Sequence, residues 1–427
     1  MLVETFASID PHARIAAAVL RLLFGEAYAR TFAIRLWDGT EIPGEERTDF
    51  TLLVNTPGAI RSAFSPPVDL NAGRAFAAGL LECEGDMEAA VDAMYVALNR
   101  FSKTSIPRML TLLARLPKEQ LSPLQEAHLN GRLHSRERDR QAIGFHYDQP
   151  VEFYRTFLDR NLVYSCAYYD DGVDTLDDAQ TAKIDHILRK LRLAPGETLL
   201  DIGCGWGALV VRAAQRYGAE VLGVTLSKTQ HDEARKRIAD AGLEKHARVE
   251  LWDYRELPKT LFDKIVSVGM FEHVGRSKLP EYFRTAFCLL RPGGLFLNHG
   301  IADESAGRRG GRSSGFIERF VFPDGELVAV SDALLVAEKA GFEIRDVENL
   351  REHYARTLRA WVANLERHRD SAVAAAGEQA YRTWRLYMAG SAQGFRIGRI
   401  GLFQSLLAKP RSDGSVDIPA TRRELYS

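Results

Sequence analysis

The run Asp201-Ile202-Gly203-Cys204-Gly205-Trp206-Gly207 constrains this chain more than any other stretch. It follows a short apolar strand-like segment, 199–202, and precedes a helical pattern, 208–216, so it lies at a strand-to-helix turn. Glycines at such a turn let the backbone approach a ligand closely and expose amide donors at the helix start. The downstream sequence alternates strands with helices as a doubly wound parallel sheet does. A second strand is expected at 221–225, and 249–251, 264–268 and 295–298 continue the series. Late strands at 342–347 and 402–407 would complete the sheet. Ser227 with Gln230 reads as a capping box that opens the next helix.

Two cofactors compete for the glycine turn. Because Ala208 follows, the run also satisfies the looser dinucleotide pattern G-x-G-x-x-A. A nicotinamide enzyme would place an acidic residue at the tip of the second strand to bind the ribose. That tip is Gly223-Val224-Thr225-Leu226-Ser227, without a carboxylate. The Asp-x-Gly-x-Gly-x-Gly form is the usual first motif of S-adenosylmethionine methyltransferases, and that reading is favoured over a dinucleotide or a purely structural turn. Asp201 is expected to order the turn rather than touch the ligand.

At 427 residues the chain is too long for one typical domain and suggests two. The boundaries read as an N-terminal α+β domain over 1–115, a linker over 116–141 and an α/β catalytic domain over 142–427. With 46% hydrophobic and 26% charged residues it is ordinary globular material. A net charge of -1 excludes bulk attraction to nucleic acid, so any membrane contact must come from a local patch. The best apolar stretch, 15–24, is too short to span a bilayer and is broken by Arg21. The first ten residues carry Glu4 and Asp10 and no basic residue, unlike a secretory signal. Cys83, Cys166, Cys204 and Cys288 form no CxxC pair, which fits a reduced, cytoplasmic chain and leaves zinc without ligands. In the first domain Ile15, Val19, Leu22 and Leu23 share a helical face, and the turn Asp38-Gly39 separates two strands, 32–36 and 50–54. Helical patterning returns over 87–116. The charged run 134–140 reads as an exposed helix face, and 307–314 as a mobile loop.

An ordered set of motifs resembles the cyclopropane-fatty-acyl-phospholipid synthases. It comprises Tyr164-Ser165-Cys166-Ala167-Tyr168, 200–207, Thr225-Leu226-Ser227-Lys228-Thr229-Gln230, Asp253-Tyr254-Arg255, and Ser267 through Gly275 with Glu272-His273 at its centre. His353-Tyr354-Ala355-Arg356-Thr357-Leu358 and Phe395-Arg396-Ile397-Gly398 extend it, so the likeness covers about 142–410 in collinear order. It implies a Rossmann-like class I methyltransferase fold. It also implies that Tyr164, Ser165, Gly203, Gly205, Thr225, Gln230, Tyr254 and Arg255 line an S-adenosylmethionine pocket. Thr225 and Gln230 supply neutral hydrogen-bonding groups there, and Tyr254 can flank an adenine.

The chemistry implied by this resemblance is methyl transfer onto an isolated alkene, followed by loss of a proton from the added methyl to close a three-membered ring. Alkene and methyl must be held in line, water excluded, and a base kept close to a transient cation. The resemblance makes that base a bound bicarbonate ion, held by Cys166, Glu272, His299, the backbone at Ile301, and Tyr354. A carboxylate beside an anion is repulsive unless a proton is shared, so Glu272 is expected to relay a proton. The family's usual cysteine before Phe395-Arg396 is replaced by Ser391, which puts product identity in doubt. The substrate expected is an unsaturated acyl chain on a membrane phospholipid, reached by peripheral docking at the inner face of the cell membrane. Candidates for docking are Arg308, Arg309 and Arg312 and the apolar stripe near Ile15. Two other functions stay open: a methyl- or methylene-branching methyltransferase, and a catalytically dead lipid- or cofactor-binding module. A homodimer is expected by family analogy.

Overall fold

The computed structural model describes residues 10–26, 31–45, 47–119, 123–147, 149–304 and 315–423. The chain divides into two compact units. The first comprises Met1–Glu126, Ser314–Val321 and Arg369–Gln393, and the second Ala127–Ser313, Phe322–His368 and Gly394–Ser427. The sequence reading ended the first domain at 115 and ran a linker to 141. The contacts instead divide the chain between Glu126 and Ala127 and return two later stretches to the first unit.

Helix α1 (Pro11–Phe24) opens the first unit, started by Pro11 and by the Asp10 carboxylate, which accepts from His12 N at 2.8 Å. Its Ala13, Ala16, Val19, Leu20 and Leu23 are buried, and of the predicted stripe Val19 and Leu23 are in the core while Ile15 and Leu22 are half-buried. Strands β1 (Phe32–Leu36), β2 (Glu41–Ile42), β3 (Phe50–Val54) and β4 (Leu81–Gly85) form a mixed sheet in the order β2-β1-β3-β4. Helices α2 (Ala59–Phe64) and α3 (Val68–Ala77) connect β3 to β4. Helices α4 (Met87–Arg100) and α5 (Ile106–Ala114) follow and pack on α1. The stretch returned from 369–393 is tied in by Arg385. This buried guanidinium donates to Cys83 O at 2.9 Å and Gly85 O at 3.2 Å and pairs with Glu82 at 3.3 Å.

The second unit begins with α6 (Arg136–Tyr147), α7 (Val151–Arg155) and α8 (Leu176–Lys190). Then β5 (Thr198–Ile202), α9 (Ala208–Tyr217), β6 (Glu220–Val224), α10 (Lys228–Asp240) and β7 (Ala247–Glu250) wind one half of a sheet. Strand β8 (Phe262–Val268), α11 (Leu279–Leu289) and β9 (Leu290–Asp303) start the other half. After α12 (Gly315–Phe320), which lies in the first unit, α13 (Val330–Lys339), β10 (Glu343–Asn349) and α14 (Arg351–Arg367) follow. Helix α15 (Arg369–Arg396) is broken at Gly377 and leads to β11 (Ile400–Ala408).

These strands form one sheet in the order β10-β11-β9-β8-β5-β6-β7. Six run in the same direction, and β11, between β9 and β10, runs antiparallel to both. Both faces are covered. Leu199, Val221, Val249, Val266 and Leu297 pack on one side, and Leu200, Leu222, Ile265 and Phe296 on the other. Residues alternate across the sheet, which is why each strand reads as a continuous apolar run. The strand order reverses at β5, where the next strand on one side is β6 and on the other β8. A crevice opens at the carboxyl ends of strands at such a point. Residues 307–314, with Arg308, Arg309 and Arg312, lie outside the described residues. No described helix is long and apolar enough to cross a membrane.

Candidate active site

The crevice at the end of β5 is an open cleft whose empty space, including the solvent at its mouth, is about 1180 Å³. Its floor is the glycine turn. Gly203 (φ 82°) and Gly205 (φ 54°) both take the left-handed conformation, for different reasons. A Cβ at Gly203 would come within 2.9 Å of Met270 Cβ, whereas one at Gly205 would meet nothing within 4 Å. Gly203 permits close packing, and Gly205 keeps backbone open to the cleft. Beyond the turn, Ser227 Oγ accepts from Gln230 N at 3.3 Å, the expected cap. The Gln230 side chain has another partner: its Oε1 accepts from Thr225 Oγ1 at 2.8 Å. That bond fixes a neutral pair at the tip of β6.

All eight residues expected for the cofactor, Tyr164, Ser165, Gly203, Gly205, Thr225, Gln230, Tyr254 and Arg255, line this cleft. Arg255 is not free to bind an anion there. Asp253 holds its guanidinium with bonds of 2.8 and 2.6 Å, and Asp139 pairs with it at 3.0 Å. Asp139 sits on α6, in the run expected to be an exposed face. Instead, α6 lends Asp139, Ile143 and Tyr147 to the cleft, and Arg138 donates to Asp324 through two nitrogens. The partners of those charges lie more than a hundred residues away, so local sequence could not reveal them.

Several lining groups were missed. Lys183, on α8, is almost wholly buried and donates to Ser165 Oγ at 2.9 Å. Burial pulls its pKa down to about 8, against the opposing pull of Cys166, Asp159 and Asp201. Asp201 is pushed up to about 7 by burial, with Lys183 the counterweight. A lysine in helical register with Ile184 and Ile187 was the available signal. Trp206 also lines the cleft, and its indole Nε1 is buried without a partner. Around it stand Tyr147, Tyr164 and His273, with Tyr164 stacked on Trp361 at 5.1 Å and His273 on Phe322 at 4.3 Å. Burial takes His273 down to about 3, which keeps its imidazole neutral.

None of the five residues expected at the reacting centre is on the cleft lining, but three of them adjoin residues that are. Cys166 follows Ser165, Glu272 precedes His273, and His299 O accepts from Gly269 N at 2.9 Å. Glu272 stands on a one-turn helix after β8, where its Oε1 accepts from Ile301 N at 2.7 Å. The Ile301 amide thus anchors the carboxylate. Burial raises Glu272 to about 7, with the Ile301 bond opposing, and its Oε2 is buried without a partner. His299 lies two residues before Ile301 on β9, on the same face of the strand. Burial first, then Lys183 and Lys190, keeps it far below the usual histidine value and therefore neutral. Its Nδ1 lies 3.2 Å from Gln404 Nε2; with that amide donating, the ring proton sits on Nε2, which has no partner.

Cys166 and Tyr354 meet this group through Leu350. Cys166 Sγ lies 3.9 Å from Leu350 O, and Tyr354 N donates to the same oxygen at 3.1 Å. Leu350 N in turn donates to Leu402 O at 2.8 Å, and Leu402 faces Ile301 in the β9–β11 ladder. Burial pushes the Cys166 thiol up, so it stays protonated. Tyr354 packs on Phe395 at 4.7 Å. His299 thus carries an unpartnered imidazole nitrogen and Glu272 an unpartnered carboxyl oxygen of raised pKa, groups of the kind that can hold a small anion carrying one hydroxyl. Bicarbonate is an anion of that kind, and His299 and Glu272 are the residues that would hold it. Ser391 lies on α15 in the first unit.

Comparison with known proteins agrees with this geometry. The family model described as mycolic acid cyclopropane synthetase matches residues 134–405. A probable fatty acid methyltransferase of Pseudomonas putida is 42% identical over 92% of this chain and 95% of its own. Cyclopropane mycolic acid synthase 1 of Mycobacterium tuberculosis is 38% identical over 61% of this chain and 93% of its own. Among solved structures, the cyclopropane synthase MmaA2 from Mycobacterium tuberculosis superposes with a TM-score of 0.61 at 36% identity, covering 63% of this chain and 98% of that one. Mycolic acid cyclopropane synthase CmaA1 complexed with SAH and CTAB gives 0.60 at 37% identity, over 63% of this chain and 97% of that one. The glycine-floored cleft, the buried group behind it and a family match over most of the chain agree: this chain belongs to the mycolic acid cyclopropane synthetase family, a family of S-adenosylmethionine-dependent methyltransferases.

Proposed function

We propose that this chain transfers the methyl carbon of S-adenosylmethionine to the double bond of an unsaturated acyl chain of a membrane phospholipid, forming a cyclopropane. The observation that carries this reading is the arrangement of the site. A cleft holding all eight expected cofactor residues backs directly onto a buried Glu272 and His299, each with an unpartnered atom. When bound, S-adenosylmethionine supplies an electrophilic methyl group and bicarbonate a base.

The protein's part is positioning and protection. The open backbone at Gly205 admits the cofactor, Thr225 and Gln230 offer it neutral hydrogen bonds, and Lys183 backs Ser165 with a buried positive charge. Tyr147, Tyr164 and Trp206 exclude water and present aromatic faces that tolerate positive charge without being alkylated. A thiolate would be alkylated; burial keeps Cys166 a thiol. Glu272, poised between its protonation states near neutral pH, can share a proton with a bound anion, and His299 Nε2–H can donate to it. Cys166, Ile301 and Tyr354 complete the surroundings of that anion in this reading.

The test is mass spectrometry of unsaturated phospholipid vesicles after incubation with S-adenosylmethionine, with and without bicarbonate. A gain of one CH2 per double bond, stimulated by bicarbonate, is expected. No gain under either condition, with the cofactor unconsumed, would overturn the reading and leave a non-catalytic module. The Pseudomonas putida relative, named a probable fatty acid methyltransferase, favours a second reading in which the product is methyl- or methylene-branched. Gas chromatography of the released chains separates ring from branch.

A further inference from the structure

Helices α4 and α5 turn outward a face that the core of the first unit does not use. On α5, Met109 and Leu113 point inward, while Ile106 and Leu110 are 44% and 45% exposed. Near the end of α4, Tyr95, Val96 and Leu98 are exposed as well. Among the described residues twelve large apolar side chains are exposed, and five of them fall within 95–110. Scattered exposed apolar residues are normal; this concentration is not. The two helix ends are joined by a short turn, Lys103–Ser105, capped by Ser102, so the five side chains flank one connection.

The charge there is as one-sided as the apolarity. From Asp92 to Glu119 no carboxylate intervenes, while Arg100, Lys103, Arg108, Arg115 and Lys118 all occur and all are exposed. In a chain with a net charge of -1, five exposed cations without an acid make this span distinctly basic. Long basic side chains can lay their stems along apolar surface and raise their charged ends to a headgroup layer. A second copy of the chain would meet the same face with the same charges and be repelled. An anionic bilayer offers both an apolar interior and negative headgroups.

We infer that the α4–α5 face is the surface by which this chain docks on an anionic phospholipid membrane. The inference rests on the lipid substrate proposed above and assigns the docking to a part of the chain that the cleft does not occupy.

Flotation of the full chain with vesicles of phosphatidylglycerol and phosphatidylethanolamine, and separately with phosphatidylcholine alone, tests it. The probes are two triple variants, Leu98→Ser/Ile106→Ser/Leu110→Ser and Arg100→Glu/Lys103→Glu/Arg108→Glu. The unmodified chain should bind the anionic vesicles, and binding should weaken with salt. Each variant should bind at least about tenfold more weakly while keeping SAH affinity and turnover of detergent-dispersed lipid. Variants that float like the unmodified chain would overturn the inference. So would variants that change the oligomeric state in light scattering while vesicle binding is kept, since a second copy would then cover the face. A failure of the unmodified chain to modify detergent-dispersed lipid would instead strike the proposed reaction and leave the flotation result standing.

Discussion

Glu272 combines burial, one strong anchor and one unpartnered oxygen, and its protonation carries a measurable signature. Its pKa rises from 4.5 in the ordinary case to about 7 in the folded chain, chiefly through burial. Between those values the folded chain keeps a proton that the unfolded chain has released, so stability falls as pH rises through that window and levels off above it. The shift corresponds to about 3 kcal/mol. Glu272→Gln should remove this slope, and chemical denaturation at pH 5 and pH 8 would show a smaller difference than in the unmodified chain. The same variant should lose about a hundredfold or more in turnover, and undiminished turnover would exclude the proton relay. Lys183 allows a second prediction. With its buried amine donating to Ser165 Oγ and a pKa of about 8, it gives the cleft a positive charge that fades as pH rises. SAH affinity, measured by calorimetry, should fall as pH rises through about 8, and Lys183→Met should bind about tenfold more weakly and lose that dependence.

At the scale of elements, the glycine turn joins two properties that substitution can separate. Both Gly203 and Gly205 have positive φ, so alanine at either should cost about 1–2 kcal/mol in stability. Gly203→Ala adds a clash with Met270 and should melt lower than Gly205→Ala. Gly205→Ala puts its methyl into open cleft and should show its main effect in SAH binding. Calorimetry and thermal melts of the two variants check both statements. The strands around this turn were legible because each is buried on both faces, so 199–202 and 264–268 stood out as short apolar runs. The antiparallel direction of β11 was not legible, because it is set by the long α14–α15 connection rather than by strand sequence. The eight residues expected for the cofactor were readable through an ordered motif set: those from Gly203 to Arg255 follow strands β5, β6 and β7, whereas Tyr164 and Ser165 lie in the connection between α7 and α8. Lys183 and α6 were not. Their roles depend on partners such as Ser165, Asp324 and Arg255, which no local pattern announces.

For the molecule as a whole, the first unit draws on three separate stretches of chain. Arg385, from the last of them, satisfies two backbone carbonyls of β4 and the Glu82 carboxylate. Arg385→Ala should therefore destabilise the chain by about 2–4 kcal/mol, read in a denaturant melt, because buried acceptors lose their donor. A fragment of residues 1–126 should lack a cooperative thermal transition by circular dichroism, since it holds only one of the three stretches. That discontinuity also matters during synthesis. The beginning of the unit leaves the ribosome early, yet its closing segment emerges only after most of the polypeptide has been made. Its apolar interior must wait, partly uncovered, through hundreds of translation steps. Premature termination anywhere before residue 393 would leave a nascent product with an unfinished amino-terminal half, a natural client for chaperones and proteases.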